Sequence, residues 1–371
     1  MRINHRLHIL VPRGGAVSER TMFGWEHTMT VALLYIIALV ITGCDARPPD
    51  LLHYTGTTMG TYYAIKVGPL PQAAPPDADI EDIDTEQLGR DIEGILTEIN
   101  ALMSTYRTDS ALSRFNASTR TDWFPVPEDL HTVVTEALAV SRSTGGAFDI
   151  TVGPLVNLWG FGPSRDKKDS MANEVAAPVG YEKVTTRAVP PALRKDDPRV
   201  YLDLSAIAKG FAVDKVAEYL EGKNFANYLV DIGGELRGKG KNAAGKPWQV
   251  AIEKPTPGKR AIHQVIAVDG YAVATSGDYR NFFEQDGKRY SHTIDPKTGR
   301  PVTHRLASVT VISPSAMRAD AMATAISVLG PEAGYRLAER ENLPVWLITK
   351  TDTGFSDRST PGFARFVVSE R

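Results

Sequence analysis

Four stretches of the chain carry apolar residues at helical spacing. Leu88, Ile92, Ile95, Ile99 and Leu102 fall on one stripe, and Asp84 with Gln87 three residues later forms a capping box, which predicts a helix from that point. A second helix is predicted from Pro127, turning Leu130, Val134 and Leu138 inward and stopping at Gly145-Gly146. The third follows a short apolar strand, Val200 to Leu204. There Ser205 is a suitable N-cap, Ile207, Phe211, Val216 and Leu220 form the inward stripe, and Lys209 sits in the first turn. The fourth is capped by Ser313 or Ser315, contains R-A-D-A-M-A-T-A (Arg318 to Ala325) and ends near Gly330-Pro331.

Elsewhere the pattern shortens to period two. Leu51 to Val67 has strand character broken by Gly56 and Gly60, and its T-T-M-G-T piece is too glycine-rich for a plain strand; a bulge or a close backbone approach both account for it. From Asn227 onward Y-L-V-D-I-G-G-E-L-R-G-K-G, W-Q-V-A-I-E, H-Q-V-I-A-V and A-V-A-T-S-G follow at short intervals, the mark of an antiparallel meander. Asp286-Gly287 signals a hairpin, Asp295 to Gly299 a second turn, and A-S-V-T-V-I a further strand. Gly68 to Asp82 reads as a loop and Pro163 to Pro198 as a surface excursion with short strands. The fold class is α+β, with mixed, largely antiparallel sheets and flanking helices, in one domain spanning residues 51–371.

The N-terminus follows a different pattern. Arg2, Arg6, Arg13 and Arg20 precede the apolar run Val31 to Ile41, which is too short to span a bilayer comfortably and suits the core of a signal peptide. Thr42-Gly43-Cys44 closes the run as a bacterial lipobox does, so residues 1–43 read as a lipoprotein signal peptide, Cys44 as the lipidated residue and residues 44–50 as a tether; a short anchor helix with an incidental cysteine is the alternative. Cys44 is the chain's single cysteine, which leaves the body without disulfides, thiol nucleophile or thiolate ligand. Several acyl chains on it would anchor the protein stably to a membrane. Asp45 resembles an inner-membrane retention signal, so the expected location is exported and lipid-anchored, at the periplasmic face of the inner membrane.

With 42% hydrophobic and 23% charged residues, the chain has the composition of an ordinary globular protein, and a formal net charge of -2 gives no footprint for nucleic acid. Candidate chemistry is therefore local. Asp320 and Thr324, four apart on a helix, stack their oxygens on one face, and oxygen ligands suit a hard cation, Mg2+ or Ca2+. The helix start at Ser205 to Lys209 is an anion site in outline, because free N–H groups and the helix dipole favour negative charge. His292, in the hairpin, could take a proton from a hydroxyl. Together these describe a metal-dependent phosphate-ester enzyme; singly, Asp320 reads equally as a solvated helix position, Lys209 as a surface lysine and His292 as a packed hairpin residue.

Six motifs in order, T-M-G-T, S-T-Y-R, G-G-A-F-D, D-L-S-A-I-A-K-G, Y-S-H-T-I-D-P-K-T-G-R-P and A-D-A-M-A-T-A, resemble those of the ApbE-like FAD:protein FMN transferases, and they run from Met59 to Ala325. The resemblance implies an ApbE-like, T-fold-related architecture and transfer of FMN from FAD to a threonine hydroxyl of an acceptor protein, releasing AMP. It implies that Met59, Tyr106, Ala147, Phe148 and Asp149 surround the flavin and adenine portions of FAD, and that Asp203, Ser205 and Lys209 lie near the diphosphate. It also implies Mg2+ ligation by Asp320, Thr324 and the main-chain carbonyl of Ala206, with His292 as the base that activates the threonine. The alanines around Asp320 would then be room for the diphosphate. Acceptors in the family suggest membrane subunits of Na+-pumping NADH:quinone reductase or related electron-transfer complexes. An FAD diphosphatase using the same metal site, and a non-catalytic flavin-binding lipoprotein, are the competing readings.

Overall fold

Two glycine-bearing turns set the registers from which the main sheet grows. The computed structural model describes residues 51–68, 84–162, 178–256, 261–277, 282–285 and 288–368; the expected signal peptide, Cys44 and tether, and most of Gly68 to Asp82 and Asp286-Gly287, read from the sequence as a loop and a turn, lie outside them. At the first turn Met59 (φ 51) and Gly60 (φ 74) both adopt left-handed backbone, the conformation of a two-residue hairpin. T-T-M-G-T is thus the turn between strands β1 (Leu52–Thr58) and β2 (Thr61–Val67), not an interruption within one strand. Gly56 has its own reason: it sits opposite Tyr63, and a Cβ there would lie 2.6 Å from the Tyr63 ring. Gly233 (φ 65) and Gly234 (φ 101) make the second turn, joining β3 (Tyr228–Ile232) to β4 (Glu235–Lys239).

With β5 (Tyr271–Gly277), β6 (Leu306–Ser313), β7 (Val345–Thr351) and β8 (Gly354–Ser359), these strands form one eight-stranded sheet in chain order, every pair antiparallel. Of the meander read from the sequence, Tyr228–Lys239 and Tyr271–Gly277 pair in this sheet, whereas the W-Q-V-A-I-E and H-Q-V-I-A-V strands leave it and pair only with each other. Side chains alternate between two cores, as period two requires. Ala272 and Ala274 of β5, Val309 and Val311 of β6, and Val345 and Leu347 of β7 face the helices. Val273, Ile312 and Ile348 face the other way, against the hairpin Trp248–Glu253/Ile262–Val268 and the turn Pro361–Phe366.

Helix α1 (Thr85–Met103) starts as predicted, Asp84 Oδ1 accepting from Gln87 N at 2.8 Å. Helix α2 (Ala111–Ala117), capped by Ser110, is a short element that the sequence pattern did not single out. Helix α3 (Glu128–Ser143) buries Leu130, Val134 and Leu138, and α4 (Gly153–Leu158) follows the Gly145-Gly146 turn. Three expectations are corrected in this part of the chain. Val200 to Leu204 joins no sheet: the Asn116 side chain occupies both polar groups of Leu202, donating to its carbonyl and accepting from its N–H. Ser205 does not cap the next helix, α5 (Ala208–Gly222), because its own N–H is drawn to Asp203 Oδ1 at 2.8 Å and the helix starts three residues later. The described half of Pro163 to Pro198 does contain short strands, Val184–Arg187 and Ala192–Lys195, but they pack inward. Lys195 is fully buried and its ammonium donates to the carbonyls of Phe115, Asn116 and Val200. Among the described residues no helix is long and apolar enough to cross a membrane.

The helix carrying Asp320, α6 (Ala316–Arg340), is capped by Ser315 and kinks at Gly330 (φ 78), resuming beyond the predicted end. It meets α5 at Gly210, where an added Cβ would lie 2.3 Å from the Ala316 carbonyl oxygen. Asp214, one turn further along α5, clamps the junction: its carboxylate accepts from Ser315 Oγ, Ala316 N, Met317 N and Arg237 Nη1 at 2.8–3.0 Å. Ala319, Ala321, Ala323 and Ala325 are buried in the core and are not part of the wall of the cleft that Asp320 and Thr324 line, so they serve close packing and not room for a ligand there. We expect Gly210→Ala to cost about 1–3 kcal/mol, since only backbone movement can relieve the overlap. Gly94→Ala, in the open middle of α1, should instead stabilise by about 0.5–1 kcal/mol; urea denaturation of both variants checks the contrast.

Candidate functional site

Asp320, Thr324 and Val328 repeat every four residues along α6, and that face opens onto a cleft of about 1310 Å³. The cleft is bounded by the β1–β2 turn (Met59, Gly60), the start of α5 (Ser205, Ala206, Lys209), the β3–β4 turn (Gly233, Gly234, Glu235) and the stretch after the Gly145-Gly146 turn (Ala147 to Ile150). Every site candidate from the sequence within the described residues lines it: Met59, Tyr106, Ala147, Phe148, Asp149, Asp203, Ser205, Ala206, Lys209, His292, Asp320 and Thr324. Cys44 lies outside those residues. The chain thus gathers into one cavity residues that are more than 250 positions apart in sequence.

At the floor sits a group of buried charges. Asp320 is only 5% exposed, so it is not the solvated position the sequence allowed. Its Oδ2 accepts from Gly210 N at 3.1 Å, which consumes one of the free amides at the start of α5. The Lys209 ammonium lies 3.7 Å from the same oxygen and 2.9 Å from Glu235 Oε1. Burial alone would lower the Lys209 pKa, but the carboxylates of Asp320 and Glu235 outweigh it and raise it, so this lysine stays charged. Burial pushes Glu235 up to about 7, against the opposing pull of Lys209 and with the help of the Asp320 charge. Glu235 Oε2 is enclosed and has no hydrogen-bond partner among the described residues.

The donor set fits a hard cation. Asp320 supplies a carboxylate, Thr324 a hydroxyl one turn on, and the Ala206 segment and Glu235 further oxygens on the same cleft. No three His, Cys, Asp or Glu side chains among the described residues converge as a ready cage. A cation there would complete its shell with main-chain oxygen, substrate or water, as Mg2+ commonly does.

The remaining candidates divide by what already holds them. Asp149 is committed to the fold: Oδ1 accepts from Thr151 N and Oγ1, and Oδ2 from Tyr181 N, while burial raises its pKa. Asp203 orients the Ser205 turn. Tyr106 stands at the rim, 71% exposed, with its ring free to meet an aromatic ligand. His292 is half-buried, edge-on to Phe161 at 6.3 Å between ring centroids. Its loop is held by Thr293 N donating to Ser291 Oγ and by Trp159 Nε1 donating to the Gly299 carbonyl. Glu235 is the residue that sequence reasoning missed; the signal was present, a carboxylate placed directly after a Gly-Gly turn between two apolar strands.

Comparison with known proteins places the chain in context. The profile of the ApbE family matches residues 59–347. A curated FAD:protein FMN transferase of Vibrio cholerae serotype O1 is 47% identical over 333 residues, covering 89% of this chain and 96% of the relative. One from Escherichia coli K12 is 41% identical over 362 residues, covering 93% and 99%. Among solved structures, the flavin transferase ApbE from Vibrio cholerae superposes with a TM-score of 0.75 at 46% identity, covering 85% of this chain and 99% of that one. The apo form of the Pseudomonas stutzeri flavinyl transferase ApbE gives 0.76 at 38% identity, covering 87% and 98%.

The charge cluster makes a pH prediction. Because the folded pKa of Glu235 is raised, folding favours its protonated form; that contribution is complete below about pH 4.5 and is lost as pH rises through about 7. Glu235→Gln cannot ionise, so in urea titrations it should gain stability on the parent protein as pH rises across that window.

Proposed function

We propose, from the premise that the chain belongs to the ApbE family, that it is an FAD:protein FMN transferase working in the cleft above Asp320. The observation that carries this reading is the convergence on one cavity of a buried carboxylate with a hydroxyl one turn on, a lysine whose charge two carboxyl groups favour and a half-buried histidine. The finer proposal is that the cation is Mg2+, the acceptor group a threonine hydroxyl and the leaving group AMP.

Asp320, Thr324 and the Ala206 carbonyl would hold Mg2+, which when bound neutralises diphosphate charge. The residues of the chain do the rest. Tyr106 and Met59 at the rim support the ring systems, and the Lys209 ammonium, a quarter exposed to the cleft, faces the diphosphate. His292 accepts the threonine proton as the Oγ–P bond forms on the FMN phosphorus; the bridging P–O bond breaks and AMP departs with the bridging oxygen. Threonine is a weak nucleophile at its own pKa, so a positioned base supplies about 10²- to 10⁴-fold.

The acceptor we propose is a membrane electron-transfer subunit of the Na+-pumping NADH:quinone reductase kind, with the transferase exported and tethered through lipid on Cys44 to the periplasmic face of the inner membrane. The arginine-flanked apolar run before Cys44 supports that placement.

Mass spectrometry of a candidate acceptor incubated with FAD, Mg2+ and the protein should find an FMN adduct on threonine; FMN released without adduct would mark a diphosphatase instead. His292→Ala should lose adduct formation by about 10²-fold or more while still quenching FAD fluorescence on binding. Adduct formed at the parent rate would remove His292 from the role of base.

A further inference from the structure

Glu235 is more buried than any cleft carboxylate except Asp320, and the fold leaves half of it unused. One oxygen takes the Lys209 ammonium at 2.9 Å; the other is enclosed without a donor among the described residues. An enclosed oxygen without a donor is costly, and such groups persist where the site uses them. The ammonium is shared unevenly between the two carboxyl groups, 2.9 Å from Glu235 and 3.7 Å from Asp320. Glu235 is the first residue of β4, paired with Ile232 across the Gly-Gly turn, so its backbone is fixed by the sheet. Lys209 is a long side chain in the first turn of α5 and goes where charge draws it.

We propose that Glu235 is a positioning residue that draws the Lys209 ammonium toward itself and leaves only a long pair to Asp320, 3.7 Å against 2.9 Å, so that a divalent cation meets Asp320 without first displacing a close one. The inference rests on the reading of Asp320 and Thr324 as cation ligands. Without Glu235 the ammonium has one carboxylate left, Asp320, and closes on it; cation and lysine then compete for the same oxygens.

A double-mutant cycle tests this through binding, not turnover. The affinity for Mn2+ is measured with AMP present, by the electron paramagnetic resonance of free Mn2+, for the full protein and for Glu235→Gln, Lys209→Met and the double variant, with thermal melts confirming folding. Lys209→Gln replaces Lys209→Met if the latter does not fold. Glu235→Gln alone should weaken Mn2+ about tenfold; in the Lys209→Met background the same change should cost no more than about twofold. An equal loss in both backgrounds would overturn the proposal, as a direct ligand or a general field effect does not depend on Lys209. No loss in either background would overturn it too. If the parent protein binds no Mn2+ while still quenching FAD fluorescence, the cation reading itself fails, and this inference with it.

Discussion

The packing of α5 against α6 at Gly210 is the contact on which the site depends. With no side chain at Gly210, the backbone of α6 can come within van der Waals reach of α5, and nothing larger than hydrogen fits between them. That closeness brings the Gly210 N–H to Asp320 Oδ2, so the same glycine that permits the helix crossing also donates to the buried carboxylate. Asp214 then fixes the crossing by satisfying the free amides at the start of α6, which ties helix angle to site geometry. The alanines of α6 extend the close packing along the sheet.

Burying charge in this way opposes stability and favours preorganisation. Asp320 and Glu235 lose hydration that Lys209 and one amide only partly replace, which raises the Glu235 pKa. Nearby, Asp149 and Lys195 show how the fold treats charges it keeps for itself: each is saturated, Asp149 by three donors and Lys195 by three carbonyls. Glu235 is not saturated: one of its oxygens has no donor among the described residues.

Much of this was legible in the chain. Asp84 with Gln87, Pro127, and the period-two runs after Asn227 identify elements because local chemistry decides them. Ser205 misled because two local solutions compete: a serine that can cap a helix is also two residues after an aspartate that can capture its N–H, and the aspartate wins. Val200 to Leu204 looked like a strand because apolar patterning reports burial, not pairing, and its partner is the side chain of Asn116. Residue type and spacing point to Asp320, Thr324, the Ser205 to Lys209 helix start and His292, and the motif resemblance adds Met59, Tyr106, Ala147, Phe148, Asp149, Asp203 and Ala206; the juxtaposition of all of them depends on long-range packing that no spacing encodes. Glu235 escaped because its meaning comes from Lys209, on another element, and not from its own neighbours.

The most direct test of this account is the position of a cation in the FAD-bound protein. A crystal of the His292→Ala protein with FAD and Mn2+, measured at the manganese absorption edge, should show an anomalous peak within about 2.0–2.6 Å of an Asp320 oxygen, the Thr324 hydroxyl and the Ala206 carbonyl. FAD bound in the cleft with the peak absent, or with the peak on other residues, would contradict it.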